Sequence, residues 1–345
     1  MTMLRVTAFT GGRNVPSARF RVRQYIETLR LHGVDVAERF TRFGRYPPVR
    51  RWPRPLWAVG SMVSRVPGLA ASRASDVTLL QRELLSTFVT LEPLTKRPRV
   101  LDVDDAIWLH RGGRCARRLA AMSERVVCGN DYLAEHFGQW NAHVEILPTA
   151  VDTDVFTPGA PGPTHPMRVG WVGQSANLAH LDLCAPALEA VLRRHPGAEL
   201  WVVCDRPPTS TSLRRVPLRF VPWSPEVERE VLQSLTVGIM PLHDSPWTRG
   251  KCSFKMLLYM SCGVPVVVSP VGMNSDVLSR GDVGFGATSV ADWEDALETL
   301  LTDRTAAAEM GRKGRRVVEE EFSVRALSPR LARILKSAAG LPSEA

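Results

Sequence analysis

The sequence predicts an α/β protein of two Rossmann-like domains, each built on a parallel sheet. Three observations carry this. Short apolar runs rich in β-branched residues alternate with segments whose apolar residues recur at helical spacing. At 345 residues the chain exceeds what one core usually supports. A proline- and glycine-rich stretch, TPGAPGPTHP at 157–166, parts two such alternating series. Strand, helix and strand at these lengths form a crossover unit, and the crossover makes neighbouring strands parallel.

In the first series Leu4–Phe9 is the opening strand, followed by the turn Thr10-Gly11-Gly12-Arg13. Ala18–His32 carries Phe20, Val22, Tyr25, Ile26 and Leu29 at helical spacing, and Gly33 ends it as helix-terminal glycines do. Val34–Ala37, Asp76–Leu80, Val100–Val103, Arg125–Cys128 and Val144–Leu147 fit further strands, with helices over Leu84–Leu94, Arg114–Met122 and Asp131–Trp140. Leu56–Ala71, apolar apart from Ser61, Ser64 and Arg65, reads as an amphipathic helix. The first turn lacks the dinucleotide fingerprint.

After the linker, Met167–Val172 is a strand closing on Gly173, and Leu178–Arg194 a helix. Glu199–Cys204 and Leu218–Pro222 are strands, and Pro225–Leu235 is a helix. Two buried strands, Val237–Leu242 and Val264–Val268, then bracket a polar loop and a short helix, Cys252–Cys262. Ligands of parallel sheets sit beyond the carboxyl ends of the strands. Arg249, Gly250 and Lys251 stand there at the helix start, with Lys255 one turn on. A helix N-terminus attracts anions, and three cations converging on it point to a diphosphate. Asp292–Leu301, Thr305–Glu321 and Val324–Ser337 close the chain as helices.

Composition narrows the partners. With 44% hydrophobic and 23% charged residues this is a globular chain, and no run approaches the ~20 apolar residues of a membrane helix. The N-terminus reads as a strand and not a signal peptide. Six scattered cysteines without a C-x-x-C pair point to reduced thiols in a cytoplasmic protein. The net charge of +9 is concentrated locally. Between Arg39 and Arg54 lie arginines 39, 42, 45, 50, 51 and 54 and no acid, interleaved with Phe40, Phe43, Tyr46 and Trp52 and followed by Trp57. Such a stretch suits an anionic bilayer surface, so Arg39–Trp57 is a candidate for peripheral attachment to the inner face of a membrane. Single-stranded nucleic acid, whose bases stack on aromatics, and a plain solvated loop are the competing readings; no nucleic-acid partner is expected.

The segment GK-x-x-FK-x-x-x-YM-x-x-G-x-PVV-x-SPVG-x-N, within 237–274, resembles the nucleotide-sugar domain of family-4 glycosyltransferases. PSARFRVRQY at 16–25, LLQREL at 79–84, VLDVDDAIW at 100–108 and CGNDYLAEH with ILPTAVDTDVF at 128–156 look like a subgroup of the same family. The resemblance implies a GT-B fold, two Rossmann-like domains whose parallel sheets face a central cleft. It divides the chain into an acceptor-side domain (1–156), the linker (157–166), a nucleotide-sugar-binding domain (167–322) and a final helix (323–345) packing back on the first domain. It implies retaining transfer of a sugar from a UDP- or GDP-sugar to a glycan or lipid-linked acceptor, in cell-surface glycan or glycolipid synthesis. Carried over position by position, Gly11, Gly12 and Arg13 form the first-turn loop, whose backbone approaches the donor phosphates or the acceptor, and Gly173 and Gln174 the matching turn of the second domain, with Gly12, Arg13, Gly173, Gln174 and Asn274 expected at the donor diphosphate. Arg249, Lys251 and Lys255 neutralise the diphosphate, Asn274 follows with Gly272 and Met273 in the next loop, and Trp223 and Ser224 stand where the nucleobase is held.

Three departures matter. Gly250 and Leu258 replace two glutamates common in the family, Gln174-Ser175-Ala176-Asn177 replaces an arginine and lysine, and Asp104, followed by Asp105, stands where many members carry histidine. Asp104 or Asp105 could orient or deprotonate the acceptor hydroxyl, or serve as a cap or ion pair. Asp102 and Asp104 also match a D-x-D metal motif. In this architecture, however, side chains and a helix dipole normally meet the phosphate charge, so no metal and no other cofactor is expected. A nucleotide-sugar epimerase and a non-catalytic nucleotide-sugar-binding subunit stay open as alternatives.

Overall fold

In the first series the chain forms β1 (Leu4–Thr10), α1 (Pro16–Arg21), α2 (Ile26–Leu31), β2 (Val34–Phe40), α3 (Arg54–Val63), α4 (Val66–Ala74) and β3 (Val77–Gln81). It continues through β4 (Arg99–Val103), α5 (Arg114–Ala121), β5 (Arg125–Cys128), α6 (Asp131–Gly138) and β6 (Val144–Ile146). This computed structural model describes residues 3–13, 15–41, 43, 44, 47, 48, 50–159 and 166–342. Arg42, Arg45 and Tyr46 of the basic stretch, and residues 160–165 of the linker, lie outside the described residues. The strands pair in parallel in the order β2-β1-β3-β4-β5-β6, so the strand order reverses between β1 and β3.

Three helices of the first series differ from their sequence reading. The expected 18–32 helix breaks at Val22 (φ −129°, ψ −62°) into α1, a 3-10 turn over Arg23–Tyr25, and α2. The Gln24 side chain donates to the Phe20 carbonyl at 2.6 Å, replacing the backbone donor the break removes. Residues 84–94 are not a helix. The buried Glu92 carboxylate accepts the Leu84 and Thr90 amides at 2.8 and 2.5 Å, Thr87 sits at φ 65°, and only Glu92–Leu94 coils, as a 3-10 turn. The amphipathic stretch 56–71 is parted at Ser64–Arg65 into α3 and α4, with Pro67 inside the first turn of the latter, where its missing N–H costs nothing.

The second series gives β7 (Arg168–Val172), α7 (Ala185–Arg194), β8 (Glu199–Cys204), β9 (Leu218–Pro222), α8 (Pro225–Ser234), β10 (Val237–Met240) and α9 (Pro246–Arg249). It goes on to α10 (Phe254–Ser261), β11 (Val266–Val268), α11 (Met273–Leu278), β12 (Gly284–Gly286), α12 (Val290–Thr302), α13 (Arg304–Val317) and α14 (Val324–Ala338). The sheet order is β12-β11-β10-β7-β8-β9, again parallel, with its reversal between β7 and β10. The start of the expected 178–194 helix is a 3-10 run, Ser175–Leu183, and the α-helix begins only at Ala185. α9, α11 and β12 are too short to show a periodicity in sequence.

Two compact units result. One holds Met1–Ala150, Gly250–Cys252 and Val324–Ala345; the other holds Val151–Arg249 and Ser253–Ser323. In the second, Trp171, Leu188, Val202, Ile239, Trp293 and Leu297 are buried between sheet and helices. In the first, α14 closes the core: Val324, Leu327, Leu331, Ile334 and Leu335 pack with Leu4, Val6, Tyr25, Leu29 and Val34. The six cysteines are unpaired thiols. Among the described residues no helix is long and apolar enough to cross a membrane.

Candidate functional site

In the second unit the reversal of strand order puts the carboxyl ends of β7 and β10 side by side, the place where open α/β sheets take ligands. The two strands pair only at Val237–Val169 and Gly238–Gly170. Beyond that they splay, and the Tyr259 hydroxyl of α10 bridges the gap. It accepts from the Val172 amide at 2.9 Å and donates to the Ile239 carbonyl at 3.3 Å. The ring reaches this place because Gly238 has no side chain: a Cβ there would lie 2.2 Å from Tyr259 Cγ.

The turn after β7 is shaped by the same economy. A Cβ on Gly173 would lie 2.5 Å from Lys255 Nζ and 2.7 Å from the Trp171 ring. The Lys255 ammonium stands 4.0 Å from the centroid of the buried Trp171 ring, a cation–π contact. A fixed cation therefore sits beside bare backbone at the mouth of the reversal, near the start of α10. Next to it, Ser175 donates its amide and hydroxyl to Asp205 at 2.7 and 2.8 Å. Burial works against the Asp205 charge, but these bonds outweigh it and hold the carboxyl below its ordinary range. Gln174 accepts the Asn177 amide through its carbonyl at 2.9 Å.

The loops around α10 are laced together. Ser253, at φ 48°, donates to Asn274 Oδ1 at 2.6 Å; Asn274 Nδ2 donates to the Ser269 carbonyl at 2.9 Å; Leu242 donates its amide to Ser269 Oγ at 3.0 Å. The buried Asn274 side chain thus holds the loop, leaving backbone as what that turn can offer a ligand. Gly272 (φ 56°) packs so tightly that a Cβ would fall 2.7 Å from the Arg249 carbonyl oxygen. Arg249 makes a two-pronged pair with Asp244, both bonds 2.7 Å, and both side chains are half-exposed. Trp223 and Ser224 lie at the end of β9, an edge strand two places from β7 and so ~10 Å from it. The Ser224 hydroxyl caps α8 by accepting the Val227 amide at 3.2 Å.

In the first unit the turn after β1 is fastened to β2. Thr10 Oγ1 and Arg23 meet Glu38, at 2.6 Å and at 2.7 and 2.8 Å, and Arg23 also donates to the Arg13 carbonyl at 2.6 Å. Gly12 occupies φ 154°, which side chains rarely adopt. At the end of β4 the three aspartates part company. Asp102 is buried against Arg21, which donates Nε to both carboxylate oxygens at 3.1 Å and Nη1 to the Leu147 carbonyl at 2.6 Å. Burial opposes the Arg21 charge, but Asp102 more than compensates and holds the guanidinium proton beyond its ordinary range. A metal at Asp102 would therefore have to displace a buried arginine. Asp104 and Asp105 face Arg82 instead, whose Nη1 lies 3.5 and 2.6 Å from their oxygens.

Residues 250–252 count with this unit. Cys252 Sγ donates to the Asp104 carbonyl at 3.4 Å, and Asn130 Nδ2 donates to the Lys251 carbonyl at 3.0 Å. Gly129 leaves room for Cys252, since a Cβ would lie 2.2 Å from its sulfur. Of the residues expected at the diphosphate, Gly173, Gln174, Arg249, Lys255 and Asn274 thus belong to the second unit, and Gly12, Arg13 and Lys251 to the first. The sequence gives no sign of the parts that Arg21, Arg82, Trp171 and Tyr259 play. Arg21 and Arg82 lie inside FRVR and LLQREL, but nothing in those strings names a partner on another strand.

The family model described as "Glycosyl transferases group 1" matches residues 166–303. Among curated proteins the chain is similar to the D-inositol 3-phosphate glycosyltransferase of Corynebacterium aurimucosum, 26% identical over 208 residues, covering 52% of this chain and 48% of that one. It is similar to the enzyme of the same name from Gordonia bronchialis, at 26% over 224 residues, 55% and 46% of the two chains. The chain thus spans about half the length of the curated relatives it matches. Among solved structures it resembles sucrose-phosphate synthase from Thermosynechococcus elongatus, with TM-score 0.71 at 14% identity over 97% of this chain and 98% of that one. It also resembles Anabaena HepE in complex with UDP-glucose, with TM-score 0.68 at 12% identity over 97% and 100%. At such identities the likeness shows the fold, which is GT-B.

Proposed function

We propose that this chain is a metal-independent, retaining glycosyltransferase of family 4. It moves a sugar from a UDP- or GDP-sugar to the hydroxyl of a glycan or lipid-linked acceptor in cell-surface glycan or glycolipid synthesis. The observation that carries the reading is the Lys255 ammonium, held on the Trp171 face beside the bare backbone of Gly173, where β7 and β10 part. The glycosyl transferases group 1 match over the same unit supports it. A cation fixed in advance stabilises charge as it develops on a leaving diphosphate, without reorganising during the reaction.

In this reading the acceptor oxygen bonds to the anomeric carbon on the face from which the diphosphate departs, and the acceptor's proton passes to a phosphate oxygen of that leaving group. Asp104 or Asp105, charge-paired with Arg82, orients the acceptor hydroxyl. Arg249 reaches the diphosphate by exchanging Asp244 for it, one anion for another.

Calorimetric titration tests the donor site. Lys255→Ala should weaken UDP or GDP binding by ~1.5–3 kcal/mol, a lost charge-assisted hydrogen bond. Uridine or guanosine should bind the two proteins alike, and transfer by the parent should persist in excess EDTA. Unchanged affinity for both diphosphates would remove α10 as the phosphate cradle, and an EDTA block reversed by added metal would overturn the metal-free route.

A further inference from the structure

Helix α3 presents three aliphatic residues outward. On its inward side Ser61 is buried and Trp57, Ala58, Gly60 and Met62 are half-buried. Leu56, Val59 and Val63 are 72%, 55% and 63% exposed, and their spacing sets them on one stripe of the helix. Val66, 53% exposed at the start of α4, follows them, and Trp52, 72% exposed, precedes them. Arg50, Arg51 and Arg54 are exposed around the amino end, and no acidic residue occurs between Arg39 and Ser75.

The stripe is held in this direction by fixed structure. Trp57 Nε1 donates to the Phe43 carbonyl at 2.9 Å, and the Phe43 ring packs on Gly60, 3.0 Å from where a Cβ would be. Arg65 Nη2 donates to the Thr10 carbonyl at 3.2 Å, and Gly68 lets α4 close on the Phe9 ring of β1. Turning the stripe inward would break each of these contacts.

We propose that the outer face of α3 is a docking surface for an anionic lipid bilayer. The helix lies flat, with Leu56, Val59, Val63 and Val66 at the boundary of headgroups and acyl chains, Trp52 at headgroup depth, and the arginines on lipid phosphates. This is the composition of an interfacial helix, apolar on one side with cations beside it. Leu56, Val59, Val63 and Val66 offer no ring for a nucleic-acid base to stack on and leave Trp52 as the ring at one end of the stripe, which weighs against that partner. A second copy docked through the same patch about a two-fold axis would bring like-charged arginine clusters together. The inference stands apart from sugar transfer and survives if that reading fails.

Vesicle flotation with the full chain tests it. Binding is expected to vesicles of phosphatidylglycerol mixed with phosphatidylcholine, to be absent with phosphatidylcholine alone, and to fade toward ~1 M salt, where the screening length is ~3 Å. Each arginine at such a surface multiplies affinity about fivefold, so R50E/R51E/R54E should lower partitioning ~100-fold or more. L56S/V59S/V63S should lower it at least ~10-fold while leaving the salt dependence in place. Emission from Trp52 should shift to the blue on vesicles, and Trp52→Phe should remove that shift. All these sites are exposed, so melting temperatures should hold; if the triple serine protein fails to fold, Val59→Asp alone replaces it. Equal uptake by both vesicle types, or unimpaired binding of the aliphatic variants, would overturn the proposal. So would a dimer abolished by the same substitutions, or an arginine-dependent complex with a single-stranded oligonucleotide that the aliphatic variants keep.

Discussion

Three aspartates within four residues of β4 and its loop serve two arginines from elsewhere in the chain. Asp102 lies 81 residues from Arg21, and Asp105 lies 23 from Arg82. The acid-rich run is plain in the sequence, but the division of labour is not, because strand order decides which cation each carboxylate meets. Cys252 was equally illegible: nothing marks it as the residue that fills the space above Gly129. His136 adds a residue whose role only packing reveals. Its ring stacks on Trp108 at 3.9 Å and 13°, Trp140 meets it edge-on, and its buried Nε2 has no hydrogen-bond partner among the described residues. Burial lowers its pKa, only partly opposed by Glu135. A histidine whose folded pKa lies below its unfolded value of ~6.5 stabilises the protein above that pH, and the contribution is lost as pH falls. We therefore expect His136→Phe, which keeps the stack, to lose less melting temperature than the parent between pH 7.5 and 5. Parallel pH profiles for the two proteins would show that His136 does not titrate against its surroundings.

Elements with strong β-branched or amphipathic patterns, such as β4, β5, α8 and α12, are readable because their periodicity comes from burial on one known face. Residues 84–94 misled for a physical reason: their apolar residues do recur at helical spacing, but Glu92 supplies the amide acceptors a helix would have provided. At the second sheet's reversal the local pattern again hides the decisive contact, since Tyr259 reads as one more apolar helix residue. Its hydroxyl is the partner of a buried strand amide, and Tyr259→Phe should cost ~1–3 kcal/mol in urea unfolding by stranding that amide. Gly238→Ala should cost at least as much, because the Tyr259 ring occupies the Cβ position. A phenylalanine variant as stable as the parent would mean that water or a shifted strand satisfies Val172.

At the scale of the whole molecule, the first unit is assembled from both ends of the chain. Leu335, fully buried, and Leu331 sit in the same core as Leu4 and Leu29. Leu335→Ala should destabilise by ~2–5 kcal/mol, the range for a buried leucine truncation. Limited proteolysis should then find new cuts within 1–150 before any within 168–323. The opposite order would place α14's contribution in the second unit. This arrangement also dictates an order of events at the ribosome. At ~5–20 residues per second, β6 emerges roughly ten to forty seconds before α14 exists. Throughout that interval Leu4, Tyr25, Leu29 and Val34 lack the helix that finally covers them, whereas the second unit, Val151–Arg249 and Ser253–Ser323, has all its residues before α14 is made. The part made first is therefore completed last, and the newborn chain carries an open apolar face that must be kept from its neighbours until α14 has been made.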